Sequence, residues 1–204
     1  MANAGLRRGL ALAGLAVGMF AALAWHWDDP VHQFFVARAD QAWSEWLAKA
    51  AHYAGLGGVQ GGAMALLALA AWRLGRRGLL VDGMGGLGAV LGAGACVQII
   101  KHLVGRPRPR MSLPAWEFFG PSLSSDLHSF PSGHAATSFA LAALLCAFHP
   151  RLAWACYPAA VLICLGRVAG GSHYLSDTLG GAILGLAVGW PLAASLRRWR
   201  EERA

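Results

Sequence analysis

Six ionisable residues, Lys101, Arg108, His134, Arg167, His173 and Asp177, stand at the ends of apolar stretches, and the order of those stretches brings all six to one side of a membrane. Ionised groups inside a bilayer cost roughly 2.5 to 3.5 kcal/mol each on the insertion scale, so a convergent set marks a functional site. The residue types suit an anion. Pro131-Ser132-Gly133-His134 reads as a helix start in which Ser132 caps, Gly133 lets a ligand approach the backbone, and the first amides point outward unpaired. Such a terminus receives phosphate. By itself the tetrapeptide also describes a capped helix with a polar interfacial histidine. Lys101, Arg108 and Arg167 tip the reading, because cations held about 4 Å apart repel by roughly 4 kcal/mol per pair at an effective dielectric near 20. An anion among them relieves that repulsion.

His173 and Asp177 are four residues apart, on one face if helical and within reach of each other in a tight turn. A carboxylate bonded to one ring nitrogen fixes the tautomer and stabilises the imidazolium, leaving the other nitrogen free to attack phosphorus. His134 could then protonate the departing oxygen. Taken alone, this spacing more often marks a structural hydrogen bond than a dyad. No acidic cluster or Cys/His set has metal-ligand spacing, so neither a metal nor a cofactor is expected.

The elements that must position these residues are apolar. The 204-residue chain is 56% hydrophobic and 13% charged, with a mean hydropathy of +0.47, which excludes an ordinary soluble domain and points to one integral membrane domain over residues 1–204. The apolar runs are Gly9–Trp25, Tyr53–Trp72, Leu79–Ile100, His134–Phe148, Leu152–Gly166 and Thr178–Leu196, most of them near the roughly 20 residues that span a hydrocarbon core. Six crossings are therefore expected. Leu152–Gly166 is short and must gain length through Val168 and Ala169 or thin the bilayer. Alternation alone makes neighbours of the third span's exit, the fourth's entry, the fifth's exit and the sixth's entry. The six residues sit at those four ends.

The net charge of +7 divides unevenly under this layout. One side holds ten basic residues against three acids, the other seven against seven, so both termini are expected in the cytoplasm and the six-residue cluster outside. The cations are spread over helix ends instead of forming a stripe, which argues against nucleic acid. Gly9–Trp25 could alternatively be a signal-peptide core ending at Ala22-Leu23-Ala24, although it is long for one, and its removal would leave the cluster outside. Cys96, Cys146, Cys156 and Cys164 all fall within apolar runs and read as core-filling thiols.

Asp29-Pro30 has the form of a helix start, and apolar residues from Val31 to Ala50 recur at helical spacing among Arg38, Asp40, Glu45 and Lys49. This predicts an interfacial amphipathic helix after the first span. Gly57, Gly58, Gly61 and Gly62, and again Gly181, Gly185 and Gly189, give small faces for close helix packing. The segment Lys101 to Pro131, with Trp116, Glu117, Phe118 and Phe119, is long enough to be a functional loop.

The sequence resembles the type 2 phosphatidic acid phosphatase (PAP2) superfamily, whose three motifs are K-x6-RP, PSGH and SR-x5-H-x3-D. Lys101 to Arg108-Pro109 matches the first, Pro131 to His134 the second, and Arg167, His173 and Asp177 the third, in order. The resemblance implies an all-α, six-span membrane phosphatase that needs no metal, in the cytoplasmic (inner) membrane of a bacterium with its site on the periplasmic or outer face. It also implies roles: His173 as the nucleophile that becomes phosphohistidine, Asp177 as its orienting partner, His134 as general acid, and Lys101, Arg108, Ser132, Gly133 and Arg167 as holders of phosphoryl oxygens. The implied partner is a lipid phosphate in the bilayer; protein partners are not indicated. Gly166 departs from the pattern, standing where the third motif has serine, so one hydroxyl contact is expected to be missing. Arg106-Pro107 is a second Arg-Pro pair, and only the family register selects Arg108; Arg106 and Arg110 then read as attractors of anionic headgroups.

Hydrolysis of a lipid phosphate or diphosphate is the expected reaction. The rivals are phosphoryl transfer to another lipid by the same site, a non-catalytic binder or transporter of anionic lipid, and a vanadate-dependent peroxidase, although the last are typically soluble. Undecaprenyl pyrophosphate, phosphatidylglycerol phosphate, phosphatidic acid and lipid A phosphate all fit, and no residue code selects among them.

Overall fold

A computed structural model describes the backbone of residues 26–201 and the side chains of residues 26–198; the expected first span, Gly9–Trp25, lies outside them. Residues 26–36 are helical, followed by α1 (Ala42–Ala54), α2 (Gly57–Arg73), α3 (Arg77–Val104), α4 (Gly133–Phe148), α5 (Ala153–Ala169) and α6 (Leu175–Glu201). Among the described residues there is no strand, only an isolated bridge between Arg106 and His128. The described part of the chain is all-helical.

Small residues bring the helices together. Ala89, Ala93 and Val97 of α3, Ala136, Ala140 and Leu144 of α4, and Ala193 of α6 form the core. In lipid, where apolar burial between helices offers little drive, such surfaces gain their energy from close van der Waals approach. Gly181, Gly185 and Gly189 lay α6 directly on the α4 backbone; a Cβ at Gly189 would stand 2.5 Å from the Ala140 carbonyl oxygen. The expected second glycine face packs by half. Gly57 and Gly61 meet Val90 of α3 at ordinary contact distance, whereas Gly58 and Gly62 face open space. Gly83 and Gly86 on α3 carry the tight contact instead, against Ala68 and Met64 of α2.

Three helical stretches, Arg77–Val104, Pro150–Ala169 and Leu175–Arg198, are long and apolar enough to cross a membrane, and α1 with α2, bent by 48° at their junction, would make a fourth. Among the described residues that makes four of the five crossings expected there. At 16 residues α4 reaches only about 24 Å, short of the roughly 30 Å hydrocarbon core. It can be short because α3, α5 and α6 surround it, so its polar ends meet protein instead of lipid. Leu66, Leu91, Ile99, Trp154 and Ile183 point outward from the bundle, as a multi-pass membrane protein requires.

The single amphipathic helix expected from Asp29-Pro30 onward is two pieces, broken by a turn at 37–41. The chain is already helical from residue 26, so Asp29-Pro30 lies within a helix and does not open one. The physical reason is Asp28, wholly buried and hydrogen-bonded to Arg106 and Ser176, which draws this segment into the protein. On α1, the Glu45–Lys49 pair and Trp46 remain outward.

Candidate active site

Four helix termini meet at one end of the bundle: the end of α3, the start of α4, the end of α5 and the start of α6. Gly105 stops α3 in the left-handed region at φ 63°, where an added Cβ would also strike the Gly120 carbonyl. Only glycine turns the chain there into the 105–131 loop. Lys101, on the last turn of α3, is buried and donates to the His128 carbonyl at 2.9 Å. Arg108 enters from the loop, donating from Nε to the Ser125 carbonyl at 3.0 Å and reaching the Ser172 carbonyl at 3.5 Å. Arg167, on the last turn of α5, reaches His52 Nδ1 at 3.3 Å. Charges of Arg108 and Arg167 both act on Lys101, so the three guanidinium and ammonium groups share one region as the spacing suggested.

At the start of α4, the Ser132 amide donates to the Asp177 carbonyl at 2.9 Å, which locks the second motif to the third. The Ser132 hydroxyl and Arg167 Nε are both buried without a hydrogen-bond partner. Buried polar atoms are nearly always paired, so these two are donors from which a polyanion's oxygens could accept. His134 donates from Nε2 to the His52 carbonyl at 3.1 Å and stacks on the His52 ring at 5.7 Å. It lies within electrostatic reach of Arg167 and His173. Gly55 makes room for it, since a Cβ there would sit 2.6 Å from the His134 ring.

His173 is almost fully buried, its Nδ1 3.6 Å from Asp177 Oδ2. That is an ion-pair distance, longer than a formed hydrogen bond. Burial pushes His173 down to about 4, with Lys101 and Arg108 adding to the effect and Asp177 opposing it. At neutral pH the ring is therefore uncharged, the form with a lone pair to offer. Burial likewise holds Arg108 below its usual range. Asp177 is saturated with donors: the Ser129 hydroxyl at 2.6 Å and the Tyr174 amide at 2.8 Å on Oδ2, and Arg106 at 2.6 Å on Oδ1.

The structure thus brings together all eight residues singled out from sequence. It also adds ones that the sequence reading missed or misplaced. Arg106 is 1% exposed and ion-paired to Asp28 and Asp177, so it is no headgroup attractor. Trp116 lies over the Arg106 guanidinium at 4.7 Å, which gives that aromatic a structural task, while Phe118 and Phe119 stay half-exposed. Arg110 is exposed and paired with Asp126. His52 bridges Arg167 and His134 without belonging to any recognisable pattern in the chain. Gly166 has a steric reason: a Cβ would lie 2.6 Å from the Leu47 carbonyl oxygen and closer still to the Ala51 methyl, so α1 crosses α5 where a serine would stand. Among the described residues no group of His, Cys, Asp or Glu side chains could hold a metal ion.

Comparison with known proteins supplies independent bearings. The family model of the PAP2 superfamily matches residues 83–201, more than half of the chain. A lipid A 1-phosphatase of Rhizobium johnstonii is 35% identical over 98 residues, which cover 47% of this chain and 40% of that protein. A second lipid A 1-phosphatase, of Rhizobium etli, is 32% identical over 103 residues, 50% of this chain and 43% of the relative. The matched region thus spans well under half the length of these curated relatives. The crystal structure of a transmembrane PAP2 type phosphatidylglycerolphosphate phosphatase from Bacillus subtilis aligns with a TM-score of 0.59 at 22% identity, covering 88% of this chain and 93% of that one. At that identity the match speaks for the fold.

Proposed function

This chain belongs to the PAP2 superfamily, and from that premise we propose that it hydrolyses the phosphomonoester or diphosphate headgroup of a membrane lipid through a phosphohistidine intermediate. The observation that carries the reading is the convergence at one helix terminus of Lys101, Arg108 and Arg167 with two buried unpaired donors and a neutral, buried imidazole. With Nδ1 turned to Asp177, Nε2 of His173 is the attacking atom. The N–P bond forms as the P–O bond breaks, and the departing oxygen takes a proton from His134. Lys101, Arg108, Arg167, Ser132 and the amides at Gly133 hold the remaining phosphoryl oxygens. Water then cleaves the N–P bond, giving a proton to His134 as its oxygen bonds phosphorus, which releases phosphate and restores both histidines.

Fixed positive charge is the main source of acceleration for such a site, because phosphoryl transfer asks little else of the protein. The lipid tail stays in the bilayer beside the outward-facing apolar side chains. The charge asymmetry of the loops supports a site on the periplasmic or outer face of the cytoplasmic membrane. The names of the relatives favour lipid A 1-phosphate as the first substrate to try, with phosphatidylglycerol phosphate second. Phosphate release by the purified protein is assayed on these two, phosphatidic acid and undecaprenyl pyrophosphate, with and without added acceptor lipid, orthovanadate and EDTA. Release without acceptor, blocked by vanadate, insensitive to EDTA and abolished in His173→Ala, is the expected pattern. Complete loss in EDTA with recovery on adding Mg²⁺ would overturn the mechanism, and turnover only with acceptor lipid would make the protein a phosphotransferase.

A further inference from the structure

Behind the His173–Asp177 pair lies a buried charge cluster that the three motifs do not contain. Arg106 donates from Nη1 to Asp177 Oδ1 and to the Ser176 hydroxyl, both at 2.6 Å, from Nη2 to Asp28 Oδ2 at 2.8 Å, and from Nε to the Ala115 carbonyl at 2.8 Å. Its guanidinium is faced by the Trp116 and Tyr174 rings at 4.7 and 4.6 Å. Asp28 comes from a different part of the chain and spends both oxygens here: Oδ1 accepts from the Ser176 amide at 2.8 Å, and Oδ2 from the Ser176 hydroxyl at 2.5 Å and from Arg106. Asp28 and Asp177 are wholly buried, and Arg106 nearly so.

Charge counting gives this arrangement its meaning. Arg106 paired with Asp177 alone would sum to zero, and the carboxylate would have little field left for the imidazole. A second carboxylate on the same guanidinium changes the sum to −1. We propose that Asp28 and Arg106 are a positioning pair for Asp177: Asp28 neutralises Arg106, and Arg106, pinned between the two carboxylates, holds Asp177 with Oδ2 turned to His173 and its negative charge uncancelled. That charge is needed when His173, in bonding phosphorus, becomes cationic. The inference rests on the phosphohistidine reading above and adds to it a part for the helical segment 26–36.

The other charged and titratable groups around the pair are few. Lys101 and Arg108 act on His173, and Arg167 and His173 act on His134. Asp29 and His32, on the same segment as Asp28, flank Tyr174. None of these takes the place of Asp28 on the guanidinium.

The test compares Asp28→Asn, Asp28→Glu, Arg106→Gln and the double variant Asp28→Asn/Arg106→Gln as full-length proteins in detergent. The first readout is phosphate release from lipid A and from a short-chain phosphatidic acid across pH, and the second is orthovanadate binding across pH. Asp28→Asn leaves Arg106 uncompensated, so kcat falls by about 10- to 100-fold, the loss seen when partners behind metal-bound imidazoles are removed, KM changes little, and the acidic limb of His173 moves to lower pH. Arg106→Gln leaves two carboxylates and moves that limb the opposite way. The double variant restores the net charge of −1 and is less impaired than Asp28→Asn alone, and Asp28→Glu keeps the wild-type limb. A merely structural pair would also lose less in the double variant than in Asp28→Asn, because a lone buried ion is the costly state, but its limbs would not move in opposite senses; limbs that stay in place or shift the same way overturn the proposal. If the single charge variants do not fold, the double variant and Asp28→Glu decide: a double variant that folds yet has lost turnover and vanadate binding counts against it. Failure of the underlying reading looks different. It would appear in the wild-type protein, as vanadate binding unaffected by His173→Ala and no phosphate release from either lipid.

Discussion

Replacing Gly166 by the serine that the family pattern places there is expected to damage this protein. An ideal Cβ at 166 stands 2.6 Å from the Leu47 carbonyl oxygen, 3.3 Å from its carbonyl carbon, and nearer still to the Ala51 methyl. Restoring ordinary contact requires α1 to retreat from α5 by about 1 Å, and a backbone carbonyl cannot rotate aside as a side chain would. Overpacking costs about 1 to 3 kcal/mol, and a backbone neighbour puts this case at about 2 to 3. For a chain of this size that is a fall in Tm of about 4 to 12 °C. Activity should fall with it, because α1 carries His52, whose ring meets Arg167 at 3.3 Å and whose carbonyl holds His134 at 3.1 Å. Gly166→Ala should be nearly as harmful, and adding Ala51→Gly should recover only part of the loss, since the Leu47 carbonyl stays in place. Thermal unfolding in detergent, followed by tryptophan fluorescence beside phosphate release, reads both effects. A serine variant as stable and as fast as the parent would refute the steric argument and return the hydroxyl to the site.

The acidic limb of kcat/KM, corrected for the substrate's own second ionisation near about 6, should reflect His173 at about 4 and not at the ordinary 6.5; a limb at the ordinary value would show the ring to be solvated. The same shift makes folding pH-dependent: between these two values the unfolded chain binds the extra proton, so stability is full above about 6.5 and is lost as pH falls toward 4, by up to about 3 kcal/mol, measured by denaturation at fixed temperature. Ser132→Ala should lower kcat/KM by roughly 10-fold, about 1.4 kcal/mol for one phosphoryl contact, while leaving Tm unchanged or raised, because the hydroxyl has no protein partner to lose. Gly185→Ala should lower Tm markedly, its Cβ being driven into the Ala136 carbonyl at the α4–α6 contact, whereas Gly58→Ala, facing open space, should not.

The site was more legible in the chain than the packing around it. Lys101, His134, Arg167, His173 and Asp177 could be placed together because alternation of apolar runs is a topological constraint that survives errors of several residues in any helix end. Spans were less secure. Hydropathy gives α4 the look of a crossing helix, but its length falls short because it is enclosed by three others, and enclosure leaves no mark on composition. Glycine faces behaved similarly: Gly181, Gly185 and Gly189 stand out by spacing, whereas Gly83 and Gly86 are hidden in a run where glycine and alanine occur almost everywhere.

Arg106 and Asp28 show why the rest was hidden. Local sequence makes one reading of Arg106 persuasive, an interfacial cation, and offers none for Asp28, which stands beside the Asp29-Pro30 helix start. The reading of Arg106 assumes that a charged side chain near a membrane surface faces water or lipid headgroups. Here the charges face each other, 78 residues apart in the chain, and Asp28 could not be buried without Arg106, since a lone ion in such a place costs several kcal/mol. Pairing over that separation leaves no periodicity for a single sequence to display. What the chain does display is the unbalanced remainder, Asp177, whose charge the proposed mechanism sets against His173. A motif found by spacing can therefore mark the end of a network that extends well beyond it, and substitutions at unmarked positions such as Asp28 should change the chemistry of marked ones.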